Sequence, residues 1–280
     1  MDDVKLIYTN GDSWTAGDII DPKKFGEQFQ YVMHPDNDEY RLPKVWPHKL
    51  GVLLGKQVLN KAVAGSSNDT IVRNTLNDVL ELLKVYRPEE LYVIIGWSSP
   101  ERKDFFLKKD DEIHGHFECI YPAELDHFQS VLDDINQFHK LYVTRFWHEE
   151  EYITRHCINT ITVHNFFKSL GIKHMFFNAF YEGKAEVFDQ DYNRIFHNNT
   201  VESFIEEFQT TSKPEYLKRL HINNLLDEYQ NIFKETFHHQ SFISYIMEIQ
   251  GNLGIGDYLK FHPTELGHEV WSKKLYKELS

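Results

Sequence analysis

Four short apolar runs, joined by helical stretches and loops of small polar residues, constrain the fold of this 280-residue chain more than any other feature. Val4–Tyr8 ends in Thr9-Asn10-Gly11-Asp12-Ser13, and Lys56–Asn60 leads into Ala64-Gly65-Ser66-Ser67-Asn68-Asp69. Leu91–Ile95 is followed by Gly96-Trp97-Ser98-Ser99-Pro100-Glu101-Arg102, and Ile172–Phe177 follows Gly171, a helix stop. The third run is continuous rather than alternating, as strands are when both faces are covered. Helical spacing fills the gaps: Leu42–Leu54 carries Trp46, Leu50, Leu53 and Leu54, and Asp69 to Val85 carries Ile71, Leu76, Val79, Leu80 and Leu83. Further helices are expected from Leu125 to Phe138 and from Glu149 to Ser169, the latter with Ile153, Cys157, Ile161 and Phe166 on its stripe. Strands alternating with helices pair in parallel, through crossovers packed on the sheet faces.

The remaining segments are less regular. Residues 103–130 are charged, aromatic and His-rich, and read as a surface excursion. Residues 181–250 read as a helical insertion within one domain, with helical tracts near Val201–Phe208 and Tyr216–Phe237, because no Pro/Gly/Ser linker sets them apart. Pro263–Leu279 reads as a final helix with Pro263 at its first position and Leu266, Val270, Trp271, Leu275 and Leu279 as its stripe.

Composition removes several function classes. Asp plus Glu number 43 against 30 Lys plus Arg, a net charge of −13, which repels phosphate backbones and argues against a nucleic-acid partner. The 16 His soften that charge below roughly pH 6.5. Aromatic residues at 15% argue for a packed core. Cys119 and Cys157 lack metal-type spacing and suit a reducing compartment. The acidic start Met1-Asp2-Asp3 lacks the basic opening of a signal peptide, and no apolar run approaches the roughly 18 residues of a membrane span, so a cytoplasmic-type protein is expected. His114-Gly115-His116 and His238-His239 lack further ligands at a metal-binding spacing, and no metal or cofactor is expected.

The chemistry gathers at the loops. In an open parallel sheet ligands bind beyond the carboxyl ends of the strands, so Gly11-Asp12-Ser13, the Gly65 loop and the Ser98 loop should converge, together with Phe261-His262-Pro263-Thr264-Glu265-Leu266-Gly267-His268 before the last helix. Each cluster also has a plainer reading. Ser13 can simply cap a helix, Arg102 can face a carboxylate of the protein itself, and His268 can pack within its helix.

In this order the clusters resemble the SGNH hydrolase superfamily of esterases and lipases. Gly11-Asp12-Ser13 is similar to its first block, Gly65 to the Gly of its second, and His262-Pro263-Thr264-x-x-Gly267-His268 to its last. The resemblance spans residues 5–100 and 255–280, and the Gly-Ser-Ser-Asn-Asp and Gly-Trp-Ser-Ser-Pro-Glu-Arg variants look like those of members encoded by tailed bacteriophages, which would make a virion association natural. It implies Ser13 as nucleophile, His262 as base, and oxyanion donors from the N–H groups of Ser13 and Gly65. Two departures stand out. The third block usually reads Gly-x-Asn-Asp, but here Ser98 occupies the Asn position, leaving Ser98 or Asn68 to supply that donor. The family's Asp three residues before the His is replaced by Leu259; Asp257, five before, is the nearest acid, and otherwise a carbonyl orients the imidazole.

The expected fold is thus a single α/β domain over 1–280, flavodoxin-like and three-layered, with a mostly parallel sheet of about five strands. The expected activity is acyl-ester hydrolysis on a small-molecule or polysaccharide ester. A lapsed scaffold with a binding or virion role and an acyltransferase remain as alternatives.

Overall fold

The computed structural model describes residues 1–26, 28–107, 116–120, 133–147, 149–180, 223–238, 240–250, 254–256 and 262–280. In chain order the elements are β1 (Leu6–Asn10), α1 (Ser13–Ala16), α2 (Pro22–Phe25), α3 (Pro35–Arg41), α4 (Trp46–Leu54), β2 (Gln57–Asn60), α5 (Asn68–Leu82), β3 (Leu91–Trp97), β4 (Lys103–Leu107) and β5 (His116–Ile120). There follow α6 (Asp133–Arg145), α7 (Glu149–Leu170), β6 (Lys173–Asn178), α8 (Asn223–Thr236), α9 (Phe242–Gln250), β7 (Ile255–Gly256), β8 (His262–Pro263) and α10 (Glu265–Leu279).

β2, β1, β3 and β6 form one parallel sheet in that order, with Asn10 level with Ile95 and Trp97 level with Asn178. All four strands coincide with the apolar runs of the sequence. Beyond β6, among the described residues, a single parallel bridge of Phe176 to Phe237 extends the sheet, where the His238 N–H donates to the Phe176 carbonyl. The strand period of two divides the core. Leu6, Tyr8, Leu91, Val93, Ile95, Trp97 and Phe176 face α5, α7 and α8. Ile7, Tyr92, Ile94 and Phe177 face Trp46 and Leu50 of α4, Phe242 and Ile246 of α9, and Trp271 and Leu275 of α10. The fold is therefore α/β, with helices on both faces of a parallel sheet.

Several sequence expectations are revised. The stripe of α5 runs Ile71, Thr75, Val79, while Leu80 is exposed, because the four-residue step selects the polar Thr75 over Leu76. On α7 the buried side is Ile153, Cys157, Thr160, Val163, His164 and Phe167, so Phe166 flanks the core rather than centring it. Residues 103–107 and 116–120 are an antiparallel hairpin, whose alternation is broken by charges. α9 is an element without a counterpart among the expected helices. The described residues between 223 and 250 supply core side chains to both faces of the sheet: Leu226, Tyr229 and Ile232 to one, Phe242, Ile243 and Ile246 to the other. Pro263 lies in β8, not in the last helix; Thr264 caps α10, accepting from the Gly267 N–H at 3.2 Å. Leu266, expected on the stripe, is exposed. The tract 201–208 lies outside the described residues, as do 216–222 and 125–132, the leading parts of two other expected helices.

Candidate active site

The first strand loop is braced from below. The Asn10 side chain donates to Thr75 Oγ1 at 2.8 Å and to the Ile71 carbonyl, while its own Oδ1 receives the Gly11 N–H, so β1 is pinned to α5 where the loop begins. Asp12, fully buried, caps α1 through the Trp14 N–H. Asn60 at the end of β2 donates to the Thr15 carbonyl and closes α1 from the other side. Gly17 then turns the chain at φ +82°. A Cβ there would lie 1.9 Å from Val45 Cγ1, so no other residue fits the turn that delivers Asp18.

On the far side, the two-residue ladder of β7 and β8 pairs Gly256 with His262 just ahead of α10. It carries the imidazole to the β1 loop, where His262 Nε2 lies 2.8 Å from Ser13 Oγ across 249 residues of sequence. Ser13 is buried, and the His262 side chain is 21% exposed.

A carboxylate that sequence spacing did not single out joins them. Asp18 Oδ2 lies 3.1 Å from His262 Nε2, at ion-pairing distance, yet among the described residues neither Asp18 oxygen has a hydrogen-bonding partner, and the side chain is 1% exposed. Burial raises its pKa to about 6, and the nearby Asp12 adds to that; His262, Arg41 and Arg102 pull the other way. The signal was present in the sequence only as a further acidic residue shortly after Asp12, which fits an ordinary surface loop equally well.

The other sequence candidates take definite places. Gly65 has φ +79° and open space over its Cα, so its backbone is approachable. Asn68 clamps the Ser98 backbone, accepting from its N–H at 2.8 Å and donating to its carbonyl at 3.1 Å, and its remaining amide hydrogen faces His156 Nδ1 at 3.2 Å. Burial lowers the His156 pKa to about 3, so the ring is neutral and can accept. Ser98 Oγ donates to Asp12 Oδ2 at 2.6 Å and receives Arg102 Nη1 at 3.0 Å. Arg102 also reaches the Ser66 carbonyl and lies 3.6 Å from Asp12 Oδ2, so it faces a carboxylate of the protein. His268 is fully buried with neither ring nitrogen partnered among the described residues, and burial lowers its pKa to about 3. Asp257 and Leu259 lie outside the described residues. Among the described residues no group of His, Cys, Asp and Glu is arranged to hold a metal, and His238 is paired with Glu278 at 2.9 Å.

No helix among the described residues is long and apolar enough to cross a membrane. Solved structures similar to the chain include a catalytic mutant of Axe2, an acetylxylan esterase from Geobacillus stearothermophilus, at 12% identity and TM-score 0.49 over 99% of this chain and 94% of that one. A member of the lipolytic protein G-D-S-L family from Veillonella parvula is similar at 11% identity and TM-score 0.45, over 98% and 97%. No curated protein matches the chain. Residues 30–195 match the model of DUF6071, a family of unknown function; the stretch holds Gly65, Asn68, Ser98 and Arg102 but neither Ser13 nor His262. Since it covers more than half of the sequence, the chain belongs to the family DUF6071.

Proposed function

We propose that the protein is a serine hydrolase of the SGNH type acting on acyl esters. The observation that carries this reading is the 2.8 Å contact between Ser13 Oγ and His262 Nε2 at the carboxyl end of the parallel sheet. A serine hydroxyl is a weak nucleophile unless a neighbouring base takes its proton, and here the base stands within hydrogen-bond reach. In the proposed cycle the Ser13 proton moves to Nε2 as Oγ bonds to the acyl carbon. Nε2 then returns a proton to the departing alcohol as the old ester bond breaks. Water repeats the sequence in reverse and frees the acid and Ser13.

The N–H groups of Ser13 and Gly65 are the proposed oxyanion donors. The first lies at a helix N-terminus, where N–H groups lack intrahelical acceptors, and the second belongs to a glycine with open space above it. Asn68 and Ser98 are proposed as scaffold instead, because their donors are already engaged by Ser98, His156 and Asp12. Arg102 is assigned to holding the Asp12–Ser98 pair.

The decisive test is fluorophosphonate labelling together with an acyl-ester panel, from acetyl to long-chain and including acetylated sugars, on wild type and Ser13→Ala. Labelling at Ser13 and hydrolysis lost in the variant support the reading. A folded wild type that neither labels nor hydrolyses any member would overturn it in favour of a non-catalytic scaffold. Esters formed with an added acceptor alcohol would reassign the same site to acyl transfer.

A further inference from the structure

We propose that Asp18 is a positioning residue for His262, its carboxylate stabilising the positive charge that forms on the ring when the imidazole takes the Ser13 proton. The inference rests on the reading of Ser13 and His262 as a nucleophile–base pair and adds to it a third member from an unexpected place, the turn after α1. Three observations carry it. Asp18 Oδ2 is 3.1 Å from the same nitrogen that meets Ser13 Oγ. The carboxylate is 1% exposed, so water screens it little. Among the described residues no hydrogen-bond donor satisfies either oxygen, although buried carboxylates ordinarily collect several, which leaves its charge directed at the imidazole.

The geometry also separates this role from that of a carboxylate hydrogen-bonded to the distant ring nitrogen. Asp18 stands beside the reacting nitrogen without hydrogen-bond alignment, while Ser13 Oγ holds the hydrogen-bonding position. Its interaction with neutral imidazole is weak and with imidazolium strong. The contact is therefore realised chiefly as charge develops, which is the condition for accelerating the step. Gly17 fixes the carboxylate there, since its positive φ and the packed Val45 permit no side chain at the preceding position.

The charged neighbours define the pH response. Asp12 lies at the other end of α1, Arg41 approaches from α3, Arg102 from the loop after β3, and His262 from β8. His268 of α10 packs behind Gly17. The carboxylate ionises near pH 6, so the arrangement is complete only above that range.

The test is Asp18→Asn, which keeps shape and removes charge. Turnover should fall by roughly 10²-fold, the scale for losing one preorganised electrostatic contact, with KM little changed. The acidic limb of the kcat/KM profile near pH 6, where the Asp18 carboxyl ionises, should flatten. Unchanged turnover and an unchanged limb in a folded variant would overturn the inference. In wild type, carbon-detected NMR of the Asp18 carboxyl should show an inflection near pH 6 that moves to higher pH in His262→Gln, since the ring pulls that pKa down, and this decides the matter if Asp18→Asn does not fold. An Asp18 inflection indifferent to His262→Gln would overturn it. Failure of the underlying reading shows differently, as absent fluorophosphonate labelling of Ser13 in wild type.

Discussion

Ser13, His262 and His268 illustrate how the same residue types acquire different roles from their surroundings. His262 keeps partial exposure and a serine partner; His268, inside α10, is sealed against Phe242 with both ring nitrogens unpartnered among the described residues. Ser13→Ala should fold as wild type and lose turnover by at least about 10⁴-fold, with the fluorophosphonate label gone. His262→Gln should do likewise. His268→Gln should leave the turnover of folded protein intact and change the melting temperature, since it replaces a tightly packed ring; the two variants compared by kcat and by thermal melts distinguish the assignments. Asp18 makes a stability prediction as well. Its folded pKa of about 6 lies above the ordinary 3.8, so the folded state binds that proton more tightly than the unfolded one. Stability is then present below about pH 4 and declines as pH rises through about 6, by at most about 3 kcal/mol. Asp18→Asn escapes that loss. It should be more stable than wild type at about pH 8, with the difference shrinking towards about pH 4 in urea titrations.

Among the elements, the β4–β5 hairpin depends on one buried carboxylate. Asp104 of β4 accepts from Ser67 Oγ and Thr70 Oγ1, each at 2.5 Å, and pairs with Arg73 at 3.0 Å, all at the start of α5. Ser67 is at once the N-cap of α5, accepting the Thr70 N–H. Removing the carboxylate strands two hydroxyls and a guanidinium. Asp104→Ala should cost about 1–3 kcal/mol and raise amide exchange in residues 103–107 before it affects β1 or β3. Uniform loss of protection across the sheet would show instead that the hairpin is part of the central cooperative unit. Beside it, Arg155 of α7 ties Asp69 to the carbonyls of Pro100 and Arg102, so α5, α7 and the loop after β3 form one support beneath the site.

For the molecule as a whole, we propose that residues 1–280 form one domain that unfolds in a single transition, because the described residues between 223 and 250 fill both faces of the sheet. A chain lacking 223–250 should lose its near-ultraviolet circular dichroism and cooperative melting; a stable, cooperatively melting remnant would make that segment an appendage. Acid sensitivity is the second global expectation. Burial lowers the pKa of His156 and His268 to about 3 and of His174 to about 4. Folded-state pKa values below about 6.5 mean stability that is fully present above that pH and lost as pH falls, at up to about 1.4 kcal/mol per pH unit for each ring. Asp18 opposes this only between about pH 6 and 4. Unfolding monitored from about pH 7 to 4 should therefore show a steep decline in melting temperature. A flat profile would contradict the neutral, buried state of these imidazoles.

The sequence by itself determined the four strands of the main sheet and the helices α4, α5 and α7, because those rest on short-range patterns, apolar runs and helical spacing. The pairing of Ser13 with His262 was an expectation from family resemblance, and only the fold brings the two within 2.8 Å across 249 residues. The sequence did not determine the β4–β5 hairpin, whose strand alternation is interrupted by charges that find partners elsewhere, Asp104 on α5 and Lys103 on α7. Nor did it reveal α9, a mostly apolar nine-residue segment whose burial against Trp14 and Trp271 depends on distant chain. The roles of Asn68 and Ser98 were likewise undecided, since whether an amide or hydroxyl is free for a ligand depends on which neighbours the fold places within about 3 Å of it. Asp18 is the clearest case. Nothing in Ala16-Gly17-Asp18 distinguishes it from a surface turn, and only the closing of α10 and β8 over the β1 loop buries the carboxylate against His262, where desolvation and an adjacent imidazole give it its chemistry.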